Sequence, residues 1–176
     1  SETLPLQTPW TLWVFDVESE KKGKSSLDSY NTALKKVYTF DTIQKFWSCF
    51  NNLPKSTVLP RNACFHIMRE DIEPKWEYKD NAAGGIYCIR VEKNKTEKVW
   101  TDIVLSAIGE QFATFLDTED RINGVTLSAK TKDNVIQIWN MKSDANRTQL
   151  ETKIRNLAGV EEPMIFYKLC TKPAEQ

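Results

Sequence analysis

Gly124-Val125-Thr126-Leu127-Ser128-Ala129-Lys130, then Thr131-Lys132-Asp133, then Asn134-Val135-Ile136-Gln137-Ile138-Trp139-Asn140, forms two strand-like runs split by a short polar link. So short a link closes an antiparallel hairpin, because parallel strands need a crossover of about a dozen residues or more. Within the second run, Ile136 and Ile138 share one parity, and Val135, Gln137 and Trp139 share the other. If the isoleucines face covering helices, Trp139 faces the opposite side of the sheet. A tryptophan buried in the core is the equally good alternative at this stage.

Outward from the hairpin the chain alternates between strands and helices. Thr11 to Val17 and Asn31 to Phe40 read as strands separated by a charged loop, Glu18 to Ser29. Asp41 is placed to cap a helix opening Thr42-Ile43-Gln44. At about 100° per residue its Phe46, Cys49, Phe50 and Leu53 share a face, while Ile43 and Trp47 fall on the flank. Ala63 to Met68 reads as a strand, and Gly84-Gly85 as a turn into a strand from Ile86 to Val91. Val99 to Leu116 carries a helical stripe of Trp100, Ile103, Val104, Ala107 and Ile108, with Asp102 and Leu105 outside it. Asp144 is placed to cap a third helix, which presents Leu150, Ile154 and Leu157 and stops at Gly159 before a last strand, Met164 to Cys170. Strand, strand, helix recurs three times without a crossover helix between every strand pair. The pattern predicts an α+β fold: a mostly antiparallel sheet with three helices on one face and the other face free for a site.

The chain has 176 residues, enough for one domain spanning 1–176 that buries roughly 70% of its unfolded surface. Its 24 Lys and Arg balance its 24 Asp and Glu, so no overall basic field drives binding along a phosphate backbone, and any nucleic acid must bind locally. Cys49, Cys64, Cys88 and Cys170 form no CxxC pair and have a single histidine, His66, to join them, which disfavours zinc. No apolar run approaches the roughly 20 residues that span a bilayer, and Ser1-Glu2-Thr3 does not open a signal peptide. A soluble monomer with reduced thiols, without cofactor or metal, is expected.

The chemistry concentrates in Asp71-Ile72-Glu73-Pro74-Lys75-Trp76-Glu77, where an indole stands directly beside a carboxylate in a loop between strands. Indole faces stack on any base, and a carboxylate accepting two parallel N–H bonds selects guanine. Tyr30 is the best second aromatic for a sandwich. Two electron-rich faces favour a cationic base such as N7-methylguanine, by about 0.5–2 kcal/mol per contact. Ordinary exposed surface explains Trp76 and Glu77 equally well, and Tyr30 also reads as a half-buried strand residue. Lys130 and Lys132 in the hairpin link either reach phosphates or only solvate the turn. One histidine without a clear Ser or Cys partner makes no triad, and Glu70, Asp71 and Glu73 lack the spacing that would converge on Mg²⁺ for a phosphohydrolase. A binding protein, not an enzyme, is predicted.

The ordered set Pro5-Leu6-Gln7 with Trp10, Leu12-Trp13, Phe40-Asp41-Thr42 with Phe46-Trp47, Ile72-Glu73-Pro74 with Trp76-Glu77, Gly84-Gly85, Trp100, Ile108-Gly109-Glu110 with Phe112, and Ile138-Trp139 resembles the eukaryotic translation initiation factor 4E family, the mRNA 5′-cap-binding proteins. The resemblance runs from Leu4 to about Tyr167. It implies a curved antiparallel sheet of about eight strands backed by three helices, with the cap on the concave face. Tyr30 and Trp76 would sandwich the methylated base, Glu77 would read its Watson–Crick edge, and Trp139 would lie against the N7-methyl group. On the convex side Pro5, Leu6, Ile43, Trp47, Asp102 and Leu105 would hold a helix of a 4G-type scaffold factor or a 4E-binding protein. The expected setting is translation initiation in the cytoplasm, with the nucleus as a second compartment.

The chain departs from the family pattern at the phosphate contacts. Tyr30 stands where most members have Trp, and Ile86 and Ser128 stand where arginines usually meet the cap phosphates. Lys130, Lys132 and Arg90 are the nearest replacements. Charge-assisted contacts are the stronger hydrogen bonds, so these exchanges leave open a divergent paralogue with weak or altered cap specificity that represses translation or tethers a partner.

Overall fold

The hairpin forms between β5 (Ile122–Ser128) and β6 (Asn134–Asn140). The β5 strand stops short of Lys130 because Ala129 turns aside to exchange backbone hydrogen bonds with Asn62 and Ala63. The computed structural model describes residues 2–17, 26–161 and 164–171. Before the hairpin lie β1 (Pro5–Phe15), α1 (Ser26–Ala33), β2 (Leu34–Thr42), α2 (Ile43–Phe50), β3 (Cys64–Arg69), β4 (Gly85–Val91) and α3 (Thr96–Ile108). After it lie α4 (Thr148–Ala158) and β7 (Ile165–Leu169). The seven strands make one curved sheet in the order β2-β1-β3-β5-β6-β4-β7, and every pairing is antiparallel.

Several local expectations change on folding. Asn31 to Ala33 belong to α1, so Tyr30 sits on a helix ahead of the second strand and does not open it. The expected loop from Glu18 to Ser29 lies outside the described residues as far as residue 25. Thr42, not Asp41, caps α2: it is extended, and its Oγ1 accepts from Lys45 N–H at 3.2 Å, while Asp41 pairs with Lys45 Nζ at 2.8 Å. Asp144 lies too far from α4 to cap it, and Asn146 Oδ1 accepts the first N–H, from Thr148, at 3.1 Å. Gly159, at φ 64°, ends α4 as predicted. Gly84 and Gly85 are not a turn. Gly85 opens β4, and a Cβ on either residue would strike Asn140 or Tyr167, so close approach of backbones selects glycine here.

The pleat divides the apolar residues into two layers. Ile136, Ile138, Ile89 and Leu12 meet Phe46 of α2, Trp100, Ile103 and Val104 of α3, and Leu150 and Ile154 of α4 on the convex side. On the concave side Trp13, Met68, Ile72, Ile86, Cys88, Trp139 and Cys170 form a smaller layer that no long helix covers, with Tyr30 and Tyr78 packed against it. At about 25 cal/mol per Å² of buried apolar surface, the convex layer is the main source of stability. It leaves the concave layer available as the floor of a site.

One buried polar junction ties the end of β3 to the turn after α3. Arg69, 4% exposed, donates from Nη2 to Glu110 Oε2 at 2.9 Å, from Nε to the Ile122 carbonyl at 2.9 Å, and from Nη1 to Thr8 Oγ1 at 3.0 Å. Its guanidinium also stacks 4.6 Å over Trp10. Removing one partner of a buried pair leaves the other charge uncompensated. Arg69→Ala is expected to lower unfolding free energy by about 3 kcal/mol in urea titrations; a loss under about 1 kcal/mol would show that the junction is dispensable.

Candidate nucleotide site

Tyr30 of α1, Trp76 and Glu77 of the loop between β3 and β4, and Trp139 of β6 come together around one cleft of about 440 Å³ on the concave face. That volume is ample for a nucleobase with its sugar. Trp76 is 53% exposed, and Glu77 beside it is exposed and makes no hydrogen bond or ion pair among the described residues. Tyr30 stands on the far wall, its ring 5.2 Å from Phe15, and its hydroxyl donates to the Pro74 carbonyl at 3.3 Å. That bond ties the Tyr30 wall to the Trp76 loop. Burial, and secondarily the nearby Cys64 and Glu77, push the Tyr30 phenol up to about 12, so it stays a neutral donor.

The loop is set by Asn81, which is 1% exposed. Its Nδ2 donates to the carbonyls of Glu73 at 2.9 Å and Lys75 at 3.0 Å, on either side of Pro74. Its Oδ1 accepts from Asn123 Nδ2 of β5 at 3.1 Å, and the same Nδ2 reaches the Asp80 carbonyl at 2.7 Å. An asparagine in a polar stretch carries no periodic signal, and only the folded contacts show what this amide does.

Trp139 forms the floor and is 2% exposed; its parity is the concave one expected from β6. The indole Nε1 donates to Thr126 Oγ1 at 3.1 Å, and that hydroxyl is 2.7 Å from His66 Nδ1. Thr126 Oγ1 therefore links the indole of Trp139 to the imidazole of His66. Burial pushes His66 down to about 3, so the ring is neutral at physiological pH. The sequence excluded His66 from a zinc site and a triad; its place in the cleft comes from the pairing of β3 with β5.

The two positions without arginine are filled by buried side chains. Ile86 is fully buried in the concave layer, and Ser128 Oγ lies 3.1 Å from Cys64 Sγ. Lys130 lines the cleft and donates to Asn62 Oδ1 at 3.2 Å. Lys132 and Arg90 are exposed, lie outside the cleft lining, and have no side-chain partner among the described residues. A further cation, Lys168 of β7, holds its Nζ 4.8 Å over the Trp76 ring. Glu70, Asp71 and Glu73 do not converge: Asp71 turns to Lys36 and Glu73 to Lys75. Among the described residues no cluster of three metal-ligating side chains occurs, and no helix is long and apolar enough to cross a membrane.

On the convex side, the start of β1 meets the start of α2, with Pro5 paired to Thr42 and Ile43 N–H donating to the Leu4 carbonyl at 2.9 Å. Trp47 is half-buried, its ring 4.9 Å from Phe46 and edge-on to Phe50 at 6.0 Å, so it is less exposed than the helical wheel implied. Leu6, Trp47 and Leu105 pack on the rim of the convex core. Asp102 pairs with Lys98 at 2.7 Å.

An antiparallel sheet backed by helices, with an aromatic cleft on its bare face, defines a ligand-binding domain. The model of the family "Eukaryotic initiation factor 4E" matches residues 5–176, and the chain belongs to that family. The eukaryotic translation initiation factor 4E of Dictyostelium discoideum is 35% identical over 136 residues, covering 77% of this chain and 51% of that protein. The chain thus spans about half the length of that curated relative. In fold it is similar to Ascaris suum eIF4E-3 solved with the m2,2,7G cap, at TM-score 0.82 and 24% identity over 99% of this chain and 96% of that one. It is also similar to C. elegans eIF4E-3 solved with the 4E-binding protein Mextli and a cap analog, at TM-score 0.81 and 22% identity over 96% of this chain and 93% of that one.

Two measurements probe this geometry. Asn81→Leu strands two carbonyls and the Asn123 amide, so hydrogen exchange over residues 71–82 should speed up and nucleotide affinity should fall at least about tenfold, with unchanged exchange refuting the clamp. The folded His66 pKa lies below the ordinary 6.5, so the unfolded chain takes up this proton first. The stability that neutral His66 confers is complete above pH 6.5 and is lost as the pH falls towards 3. Lowering the pH from 6.5 to 5 should cost about 2 kcal/mol through this group, and His66→Gln should remove that part of the slope in urea titrations.

Proposed function

We propose that the chain binds the 7-methylguanosine cap of mRNA on its concave face and recruits a 4G-type scaffold factor, or a 4E-binding protein, through its convex face in translation initiation. The observation that carries this reading is the meeting of Tyr30, Trp76, unpaired Glu77 and Trp139 around one cleft. The base would lie between Tyr30 and Trp76. Glu77, with no competing partner, accepts the two N–H groups of the guanine Watson–Crick edge. Trp139 lies against the N7-methyl group, and the positive charge on the base is attracted to the indole and phenol faces. Family membership supports the same reading.

Phosphates fall to Lys130 at the cleft mouth, with Lys132 and Arg90 further out. Flexible ammonium groups make looser contacts than paired guanidinium forks, which shifts most of the affinity and all of the base selectivity onto stacking and Glu77. The activity is binding in the cytoplasm, without a chemical step. The whole chain, 1–176, acts as one cap-binding domain and as a monomer. On the convex face a short amphipathic helix would lay its apolar side across Leu6, Ile43, Trp47 and Leu105, with Pro5 at the edge and Asp102 offering a charge.

Isothermal titration should find 7-methyl-GTP bound at least about tenfold tighter than GTP, with Glu77→Gln weakening both guanine nucleotides and Trp76→Ala abolishing binding. Equal affinity for the two nucleotides, or binding that survives Trp76→Ala, would overturn the cap reading. Trp47→Ala should abolish scaffold-peptide binding while 7-methyl-GTP affinity stays within a few-fold. Because Trp47 is half-buried, Leu105→Arg serves as the second variant; loss of cap and peptide binding together in both would refute the separation of the two faces.

A further inference from the structure

Three aromatic side chains are strongly exposed among the described residues: Tyr38, Trp76 and Phe166. Tyr38 pairs with Leu12, on the convex parity. Trp76 belongs to the cleft. Phe166, 55% exposed on β7, is explained by neither face described so far.

The register of β7 settles which way Phe166 points. It pairs with Cys88, and Lys168 pairs with Ile86. Cys88 and Ile86 belong to the concave layer, whereas Ile165 packs in the convex core, so the pleat sends Phe166 and Lys168 to the side of the cleft. A single cross-strand row runs Gln137, Cys88, Phe166. Gln137 lines the cleft, so Phe166 stands two strand spacings, about 10 Å, beyond it. Cations flank it: Arg90 follows Cys88 on the same parity of β4, exposed and without a side-chain partner among the described residues, and Lys168 reaches back over the Trp76 ring at 4.8 Å. An exposed ring between two cations, continuous with a base-binding cleft, is the arrangement that holds single-stranded RNA by stacking and phosphate contact.

We propose that Phe166 is a stacking platform for a nucleotide following the cap, with Arg90 and Lys168 pairing with the intervening phosphates. The direction of the chain across the sheet rests on the cap reading above; the platform itself rests on Phe166 and its neighbours. The ligand of the whole face is then a capped RNA, of which the cap mononucleotide is one part.

The test compares 7-methyl-GTP with a capped oligoribonucleotide of four purine nucleotides, using the full chain. The wild type should bind the oligonucleotide about fivefold tighter or more, Phe166→Ala should remove that gain and leave 7-methyl-GTP affinity unchanged, and Phe166→Trp should keep it. Arg90→Gln should reduce the salt dependence of oligonucleotide binding by about one unit of slope. If Phe166→Ala does not fold, Phe166→Leu keeps an apolar side chain without the ring and should lose the gain alike. No gain in the wild type, or a gain untouched by Phe166→Ala and Phe166→Leu, overturns the proposal. So does a fall for both ligands alike, or a dimer in analytical ultracentrifugation that Phe166→Ala dissolves. If 7-methyl-GTP and GTP bind equally, the cap reading fails separately; a Phe166-dependent gain with the uncapped 5′-triphosphate oligonucleotide then still supports the platform, and its lack overturns it.

Discussion

Alternation of side chains along β6 is the constraint on which the rest of this molecule depends. Ile136 and Ile138 go to the helices while Gln137 and Trp139 go to the cleft, and a slip of one residue would exchange the two sets. Because β6 lies between β5 and β4, its register fixes theirs: Thr126 is brought under Trp139, and Ile86 and Cys88 are brought into the concave layer. Stability and binding surface are therefore divided by a single geometric rule. The convex layer is thick and covered by three helices, and the concave layer is thin enough to leave indole and phenol faces open to solvent.

The site shows how little of its energy has to come from the residues that would touch a ligand. Trp76 and Glu77 lie on a loop without regular secondary structure, so their position depends on Asn81 holding two carbonyls of that loop and on Asn123 holding Asn81. Pro74 lies between the clamped carbonyls and also receives the Tyr30 hydroxyl. The two walls of the cleft are thus linked through backbone that carries no selectivity itself. Preorganisation of this kind lowers the ordering entropy that binding would otherwise cost.

Much of the fold was legible in the sequence because its signals are local. The hairpin from β5 to β6, the stripe of Trp100, Ile103, Val104, Ala107 and Ile108 on α3, and the stop at Gly159 each depend on residues within a few positions of one another. The misread points are local signals overruled by neighbours. Asn31 to Ala33 went to a helix, Thr42 displaced Asp41 as the cap, and Gly84-Gly85 is kept small by Asn140 and Tyr167 and not by a turn. Trp47 fell on the flank of its wheel, yet Phe46 and Phe50 half-bury it.

The sequence alone determined an antiparallel α+β sheet, the opposite parities of Ile138 and Trp139, and the adjacency of an indole and a carboxylate at Trp76 and Glu77. These follow from covalent spacing and the periods of strand and helix, which act over a few residues. The tertiary structure alone decided that Tyr30 faces that pair, that Asn81 clamps their loop, that Ile86 and Ser128 are buried, and that Lys168 and Phe166 stand beside the cleft. Each of these depends on strand register between segments far apart in the chain. Register is set by burying both faces of the whole sheet at once, which no local stretch encodes.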